Sequence, residues 1–382
     1  MWEHHRLAWG PLAVHLALVG VGVGLGLAWV PQAPAWGALQ NPAIAQAPTW
    51  MQPLLQWDAH WYAQIATEGY GPKSAAFFPL LPVLAALLAE ATGWPAAAAG
   101  WALGNACGCL ALLAAPAALA RYIPLQAARR ATWVLALLPT SFYLNTFYTE
   151  PLFLLATLAA LYYAPIGRVW PTALAVWAAT LTRNTGLALG LLVAHAVWAA
   201  YRSQGATLAR VAGWGAALVL PVLGLGLFML FLQAAFYDPW AFVTAQADFA
   251  RMPCLPGQGL WLAAKQLAGW HFVPTAGRAF LFIGFGMQVL ALAAWAACAR
   301  QSLRLPAWRM PVMVSAVWLL VPLLSYIPSD PLTSVSRYVL VNAPLLLAVG
   351  VLPRRLFIGL CLACGAGLSA AVALFVRHWW VA

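Results

Sequence analysis

Residues 211–236 read VAGWGAALVLPVLGLGLFMLFLQAAF, 26 consecutive positions without a charged side chain. As an α-helix, at about 1.5 Å per residue, the stretch is about 39 Å long, more than the roughly 30 Å of hydrocarbon in a bilayer. It reads as a membrane span. Apolar runs recur from end to end, near 9–30, 96–120, 131–148, 151–166, 170–182, 184–201, 278–299, 310–327, 338–351 and 356–376, with a shorter apolar helix at 77–92. The sequence therefore predicts an all-α polytopic membrane protein with about 11 transmembrane helices.

Composition leads to the same place. The 382 residues are 64% hydrophobic and 7% charged, with a mean hydropathy of +0.82, from which no soluble surface can be built. Tryptophans such as Trp29, Trp50, Trp57, Trp61, Trp94 and Trp170 fall near the ends of the runs, where rings favour the headgroup level. The net charge of +11 is spread thinly over many loops and forms no stripe, which argues for orientation and against nucleic acid. Five of the six cysteines lie in or beside apolar runs, leaving Cys254 alone in a polar loop, so no disulfide framework follows and the Cys361/Cys364 pair reads as buried small residues. The stretch 7–30 is too long for a cleaved signal peptide and is expected to remain as the first span. Glycines 20, 22, 24 and 26 lie inside it, four apart in two pairs, which suits close helix packing better than nucleotide binding. With no internal repeat or low-complexity linker, a single membrane domain is expected over 1–382.

Short cytoplasmic loops collect Lys and Arg. Arg6, Arg121, Arg129, Arg130, Arg168, Arg202, Arg210, Arg300, Arg304, Arg309, Arg354 and Arg355 share one side if 77–120 crosses the membrane once. That parity makes 77–92 a re-entrant or interfacial helix of the outer face. It also places outside the two polar loops, 31–76 and 237–277, together with Thr149-Glu150-Pro151, Arg183 and 328–337.

The carboxylates are few: Glu3, Asp58, Glu68, Glu90, Glu150, Asp238, Asp248 and Asp330. All but Glu3 and Glu90 map to the outer side. Asp58 lies in Trp57-Asp58-Ala59-His60-Trp61-Tyr62, which as a helix puts Trp57, Trp61 and Ile65 on one face with Asp58 at its edge. By itself that is either an interfacial anchor with a solvated Asp or a site. Glu150 stands before a proline suited to a first helical turn, either as a helix N-terminal charge or as a functional group. Arg183, at the end of a short span, is costly at membrane depth unless paired, with Glu150 or a ligand phosphate as its partner. Arg337 in Ser336-Arg337-Tyr338 either snorkels or forks onto phosphate oxygens. Asp248 and Arg251, three apart, read as a local helix ion pair. His15 and His195 lie in spans and satisfy local hydrogen bonds more readily than they bind metal; no metal-ligand spacing appears, so neither metal nor cofactor is expected.

Together Trp57-Asp58-Ala59-His60-Trp61-Tyr62, Phe77-Phe78-Pro79-Leu80-Leu81-Pro82, Tyr148-Thr149-Glu150-Pro151, Arg183-Asn184-Thr185-Gly186, Asp238-Pro239-Trp240-Ala241-Phe242 and Ser336-Arg337-Tyr338 resemble, in order, the class V phosphatidylinositol-glycan mannosyltransferases and their bacterial relatives. The resemblance implies a GT-C glycosyltransferase fold and inverting, usually metal-free transfer of a hexose, mannose in the family, from a polyprenyl-phosphate-linked donor to a lipid or glycan acceptor. It implies Asp58 as general base, with Arg183, Arg337 and Lys73 on the donor phosphate and Glu150, His60 and Tyr62 orienting the acceptor. Arg251 and Arg278, with Lys73, are reserve phosphate contacts on the outer side, and Asp248 is a lower-ranked site residue. The compact, Ala/Trp-rich chain suggests a bacterial inner membrane with the site facing the periplasm. A transporter or flippase of polyprenyl-phosphate lipids is the competing expectation, because short helices and buried arginines also serve substrate pathways.

Overall fold

A computed structural model describes residues 8–33, 41–269 and 275–381, with side chains from 281 in the last segment. Arg278's side chain and Glu3 lie outside it. The described residues are all-α apart from one two-residue antiparallel strand pair, β1 (Met252–Pro253) and β2 (Ser325–Tyr326).

The helices that frame the site are α1 (Trp9–Trp29), α2 (Asp58–Glu68), α3 (Leu80–Thr92), α4 (Ala96–Leu119), α5 (Leu125–Leu137), α6 (Glu150–Tyr163), α7 (Val169–Thr182), α8 (Gly190–Gln204), α9 (Leu208–Phe236), α10 (Gln258–Ala268), α11 (Thr275–Ser302), α12 (Arg309–Leu320), α13 (Val335–Val341) and α14 (Arg354–Phe375). Among the described residues seven helical segments are long and apolar enough to cross a bilayer, and α3, α6 and α7 are shorter apolar helices. The polytopic all-α architecture expected from the sequence is thus the observed one.

Several runs that read as continuous spans are broken. The 131–148 run stops being α-helical at Leu137; Leu138 is extended (ψ 140°) before Pro139, and a 3-10 turn covers Ser141–Asn145. A residue before proline is driven out of the α region, and proline has no N–H to continue the ladder. Likewise the 310–327 run passes into a 3-10 turn at Pro322, and α13 ends at Asn342 before Pro344. Irregular backbone at membrane depth is tolerated where it is buried in protein or lines a cavity.

Small residues set the close approaches. α1 packs on α14 through Gly22 and Gly26: a Cβ at Gly22 would lie 2.6 Å from Val372, and one at Gly26 would lie 2.5 Å from the Ala373 carbonyl, while Gly20 and Gly24 face open space. On α4, Gly100, Gly104 and Gly108 form a second stripe at i, i+4, i+8, against Phe147, Thr146 and Leu144. That stripe lets the irregular 141–149 segment lie against the helix and fixes where α6 begins.

His15 is fully buried, its Nδ1 2.7 Å from the Ala136 carbonyl and its Nε2 2.6 Å from Asn145 Oδ1, so it does satisfy local hydrogen bonds. All six cysteines are free thiols.

Candidate active site

Four side chains from distant elements meet at one end of the bundle. Glu150 is the first residue of α6, with Pro151 in the first turn as the sequence suggested. Arg183 occupies the extended residue (φ −155°, ψ 140°) between α7 and the 3-10 turn Asn184–Leu189, which Gly186 seats against Ala179. Arg337 lies in the first turn of α13. Asp58 opens α2, whose N-cap Trp57 has φ +57°, a value L side chains rarely adopt. This strained turn aims Asp58 inward and is itself pinned: the Asp58 N–H donates to the Tyr148 hydroxyl (3.2 Å), which donates to the Gln56 carbonyl (3.0 Å). Backbone strain that persists because its surroundings over-determine it is characteristic of functional sites.

The charges form one alternating chain. Arg337 Nη1 donates to Asp58 Oδ2 at 2.7 Å, Arg337 Nε donates to Glu150 Oε1 at 2.6 Å, and Arg183 Nη1 donates to the same Oε1 at 2.8 Å. Two carboxylates against two guanidiniums sum to zero, which is how buried charge is tolerated. Arg337 also lies over the rings of Tyr148 (4.7 Å) and Tyr143 (5.2 Å), and Arg183 over Tyr338 (4.8 Å). Side-chain exposure falls from 22% at Asp58 through 13% at Arg183 and 5% at Arg337 to 0% at Glu150. Asp58 is therefore the member of the chain most open to solvent or substrate, and among the described residues only its Oδ2 is hydrogen-bonded to a side chain.

Asp58 opens onto a cavity of about 1260 Å3 also lined by His60, Tyr62, Arg183, Arg251 and Arg337. Burial first, and the neighbouring His378 second, push the His60 imidazole down to about 4, so it is neutral at physiological pH. Tyr62 is buried between Phe77 and Phe147, and its hydroxyl makes a long 3.5 Å contact to Thr149. Burial, then the charges of Asp58 and Glu150, raise its phenol above the ordinary range, so Tyr62 offers a neutral hydroxyl.

Not every expected residue joins them. Lys73 is exposed on the turn Lys73–Ala76 and does not line the cavity, because Ser74 and Ala75 take the buried positions. Asp248 is exposed and also outside it. The expected Asp248–Arg251 pair is not formed: the helical turn ends at Phe249, and Ala250, at φ +55°, redirects the chain so that Arg251 donates to Ser334 Oγ (3.1 Å). Asp238 accepts from the Trp240 N–H and the Thr244 hydroxyl, both at 2.8 Å, and shapes a turn. In α2 the buried positions are Ala59, Tyr62, Ala63 and Ile65, not a Trp57/Trp61/Ile65 face; Trp57 precedes the helix and Trp61 packs on Phe77 and Phe249. Tyr143, absent from the sequence reading, and Tyr148 and Thr149, which entered it only as part of a motif, complete the site. Among the described residues no three His, Cys, Asp or Glu side chains converge as metal ligands would.

A family model described as mannosyltransferase (PIG-V) matches residues 40–248, more than half of the chain, including Asp58, Glu150 and Arg183. The chain belongs to the PIG-V mannosyltransferase family. Its apolar helices, seven of them long enough to cross a bilayer among the described residues, and the motifs around Asp58 and Glu150 accord with that membership. Comparison with curated proteins gives no match. Among solved structures, this PIG-V family member resembles the Archaeoglobus fulgidus oligosaccharyltransferase tethered with an acceptor peptide, at 11% identity and a TM-score of 0.45 over 97% of this chain and 55% of that one. The same enzyme in complex with Zn and sulfate gives 12% identity and a TM-score of 0.43, over 96% and 53%. The chain spans about half the length of these structures.

Proposed function

We propose that this protein transfers a hexose, mannose by family, from a polyprenyl-phosphate-linked donor to a hydroxyl of a lipid or glycan acceptor, on the non-cytoplasmic face and with inversion. The observation that carries the reading is Asp58 as the cavity-facing end of a buried, charge-balanced chain with Arg337, Glu150 and Arg183.

In a single displacement the acceptor oxygen bonds to the sugar's anomeric carbon as the bond to the phosphate oxygen breaks. The acceptor proton passes to Asp58, and polyprenyl phosphate leaves with the electron pair, needing no proton of its own. A positioned carboxylate base is worth about 10²–10⁴-fold. Arg337 fixes one Asp58 oxygen, Oδ2, leaving Oδ1 for the acceptor. Glu150 in turn holds both arginines in place. His60 and Tyr62, both neutral, line the same wall and can orient acceptor hydroxyls without adding charge.

The test incubates purified protein with labelled polyprenyl-phosphate mannose and a native lipid and glycan extract, followed by mass spectrometry. Transfer releases free polyprenyl phosphate and adds a hexose mass to an acceptor. Lipid moved between leaflets of reconstituted vesicles with its mass unchanged would instead make the protein a flippase.

A further inference from the structure

Three guanidiniums line the cavity, and two of them are spoken for. Arg183 and Arg337 are ion-paired to Glu150 and Asp58. Arg251 has no carboxylate within ion-pairing distance among the described residues; its one side-chain hydrogen bond there is to Ser334.

Arg251 is nevertheless held. Ala250 turns the chain with its positive φ, β1 pairs Met252 with Tyr326 and Pro253 with Ser325, and the Cys254 N–H donates to the Leu324 carbonyl (2.9 Å). On the other side, Ser334 anchors its guanidinium, and the Ser334 carbonyl accepts the N–H of Arg337 (3.1 Å). Arg251 is thereby tied to the turn that begins α13, about one helical turn, roughly 5 Å along the axis, before Arg337.

Two further acids line the cavity. Asp330 accepts from the Thr333 hydroxyl at 2.6 Å, and Glu68 is exposed, with Gln64 donating to it at 3.3 Å. Neither is paired with Arg251. An anion approaching Arg337 meets the charges of Asp58 and Glu150 at the same distance scale, so the attraction is largely cancelled. At Arg251 it meets a guanidinium that has only a neutral hydroxyl as partner and can give its remaining N–H groups to phosphate oxygens.

We propose that Arg251, rather than Arg337, receives the phosphate of the lipid-linked sugar donor. This deepens the glycosyltransfer reading and rests on it. It divides labour within the cavity: Arg337 belongs to the base, and Arg251 to the leaving group. The anchored phosphate then sits in the cavity onto which Asp58 opens, without competing for the cation paired with Asp58.

The experiment measures binding of polyprenyl phosphate and of polyprenol, which lacks the phosphate, to full-length protein in nanodiscs. The readout is the preference, the ratio of the two dissociation constants, which does not depend on the fraction of protein folded. Wild type is expected to prefer polyprenyl phosphate by at least about tenfold, a preference that Arg251→Gln, neutral and still able to reach Ser334, abolishes and Arg251→Lys retains in part. An Arg251→Gln protein that keeps the wild-type preference overturns the assignment of Arg251 and leaves the donor reading standing. A wild type with no preference overturns the donor reading and this assignment with it.

Discussion

Arg337 and Asp58 are 279 positions apart in sequence and 2.7 Å apart in the folded chain. Joining them requires α2, from the first polar loop, and α13, near the C-terminal end, to close on the same cavity, with Glu150 of α6 bonded to Arg337 from behind. The proposed base and the guanidinium that fixes it therefore come from opposite halves of the protein.

Replacing Asp58 with Asn keeps its size and its neighbours and removes its basicity. Asp58→Asn is expected to lower transfer by about 10²–10⁴-fold while donor binding persists. The check is a single-turnover assay with labelled donor beside a binding isotherm for polyprenyl phosphate. Undiminished turnover would remove Asp58 as the base.

Glu150 bridges two arginines with one oxygen, Oε1, and is fully buried. Glu150→Gln leaves two guanidiniums against Asp58 alone, and breaking a buried pair from one side costs about 3–5 kcal/mol. The variant should therefore melt well below wild type in detergent or nanodiscs, and lose activity because Arg337 no longer has a fixed position. Thermal unfolding followed by tryptophan fluorescence measures it, and an unchanged melting temperature would contradict the structural weight given to this carboxylate.

These four charged residues were conspicuous in the sequence because a charge inside or beside an apolar run is costly unless it is matched. The aromatic and glycine framework around them was not. Tyr143 and Tyr148, which cushion Arg337, sit in an apolar stretch where a ring facing lipid and a ring facing a guanidinium look alike. Hydropathy also hid the breaks at Pro139, Pro322 and Pro344, since proline in a greasy run leaves the mean almost unchanged while ending the helix. Arg251 was misread for a related reason: its pairing with Asp248 presumed a helix that the turn at Ala250 terminates.

His60 titrates in the folded protein near 4, below the 6.5 of an unburied imidazole, because burial disfavours its cation. A group whose folded value is depressed favours the native state only while it is neutral. Its contribution is complete above pH 6.5 and is lost as pH falls toward 4. Activity should accordingly show no His60 inflection between pH 6 and 8, and a His60→Gln variant should lose less stability than wild type on acidification from pH 6.5 to 4. Imidazole NMR shifts in labelled protein read the titration directly, and a midpoint near 6.5 would place His60 in water rather than against the cavity wall.

Gly104 on α4 and Gly24 on α1 are both glycines inside apolar helices, yet their surroundings differ. A Cβ at Gly104 would run into the Thr146 carbonyl, whereas one at Gly24 would meet open space. Gly104→Val is thus expected to push the 144–149 segment off α4 and move Tyr148 and Glu150 with it, with overpacking costing about 1–3 kcal/mol and a larger fractional loss in turnover than in folded protein. Gly24→Val should leave both unchanged. The comparison separates helix packing in general from positioning of the ion-paired chain, because both substitutions add the same branched side chain to a helix. Equal behaviour of the two variants, in turnover and in melting temperature, would show that the stripe at Gly100, Gly104 and Gly108 does not set the site.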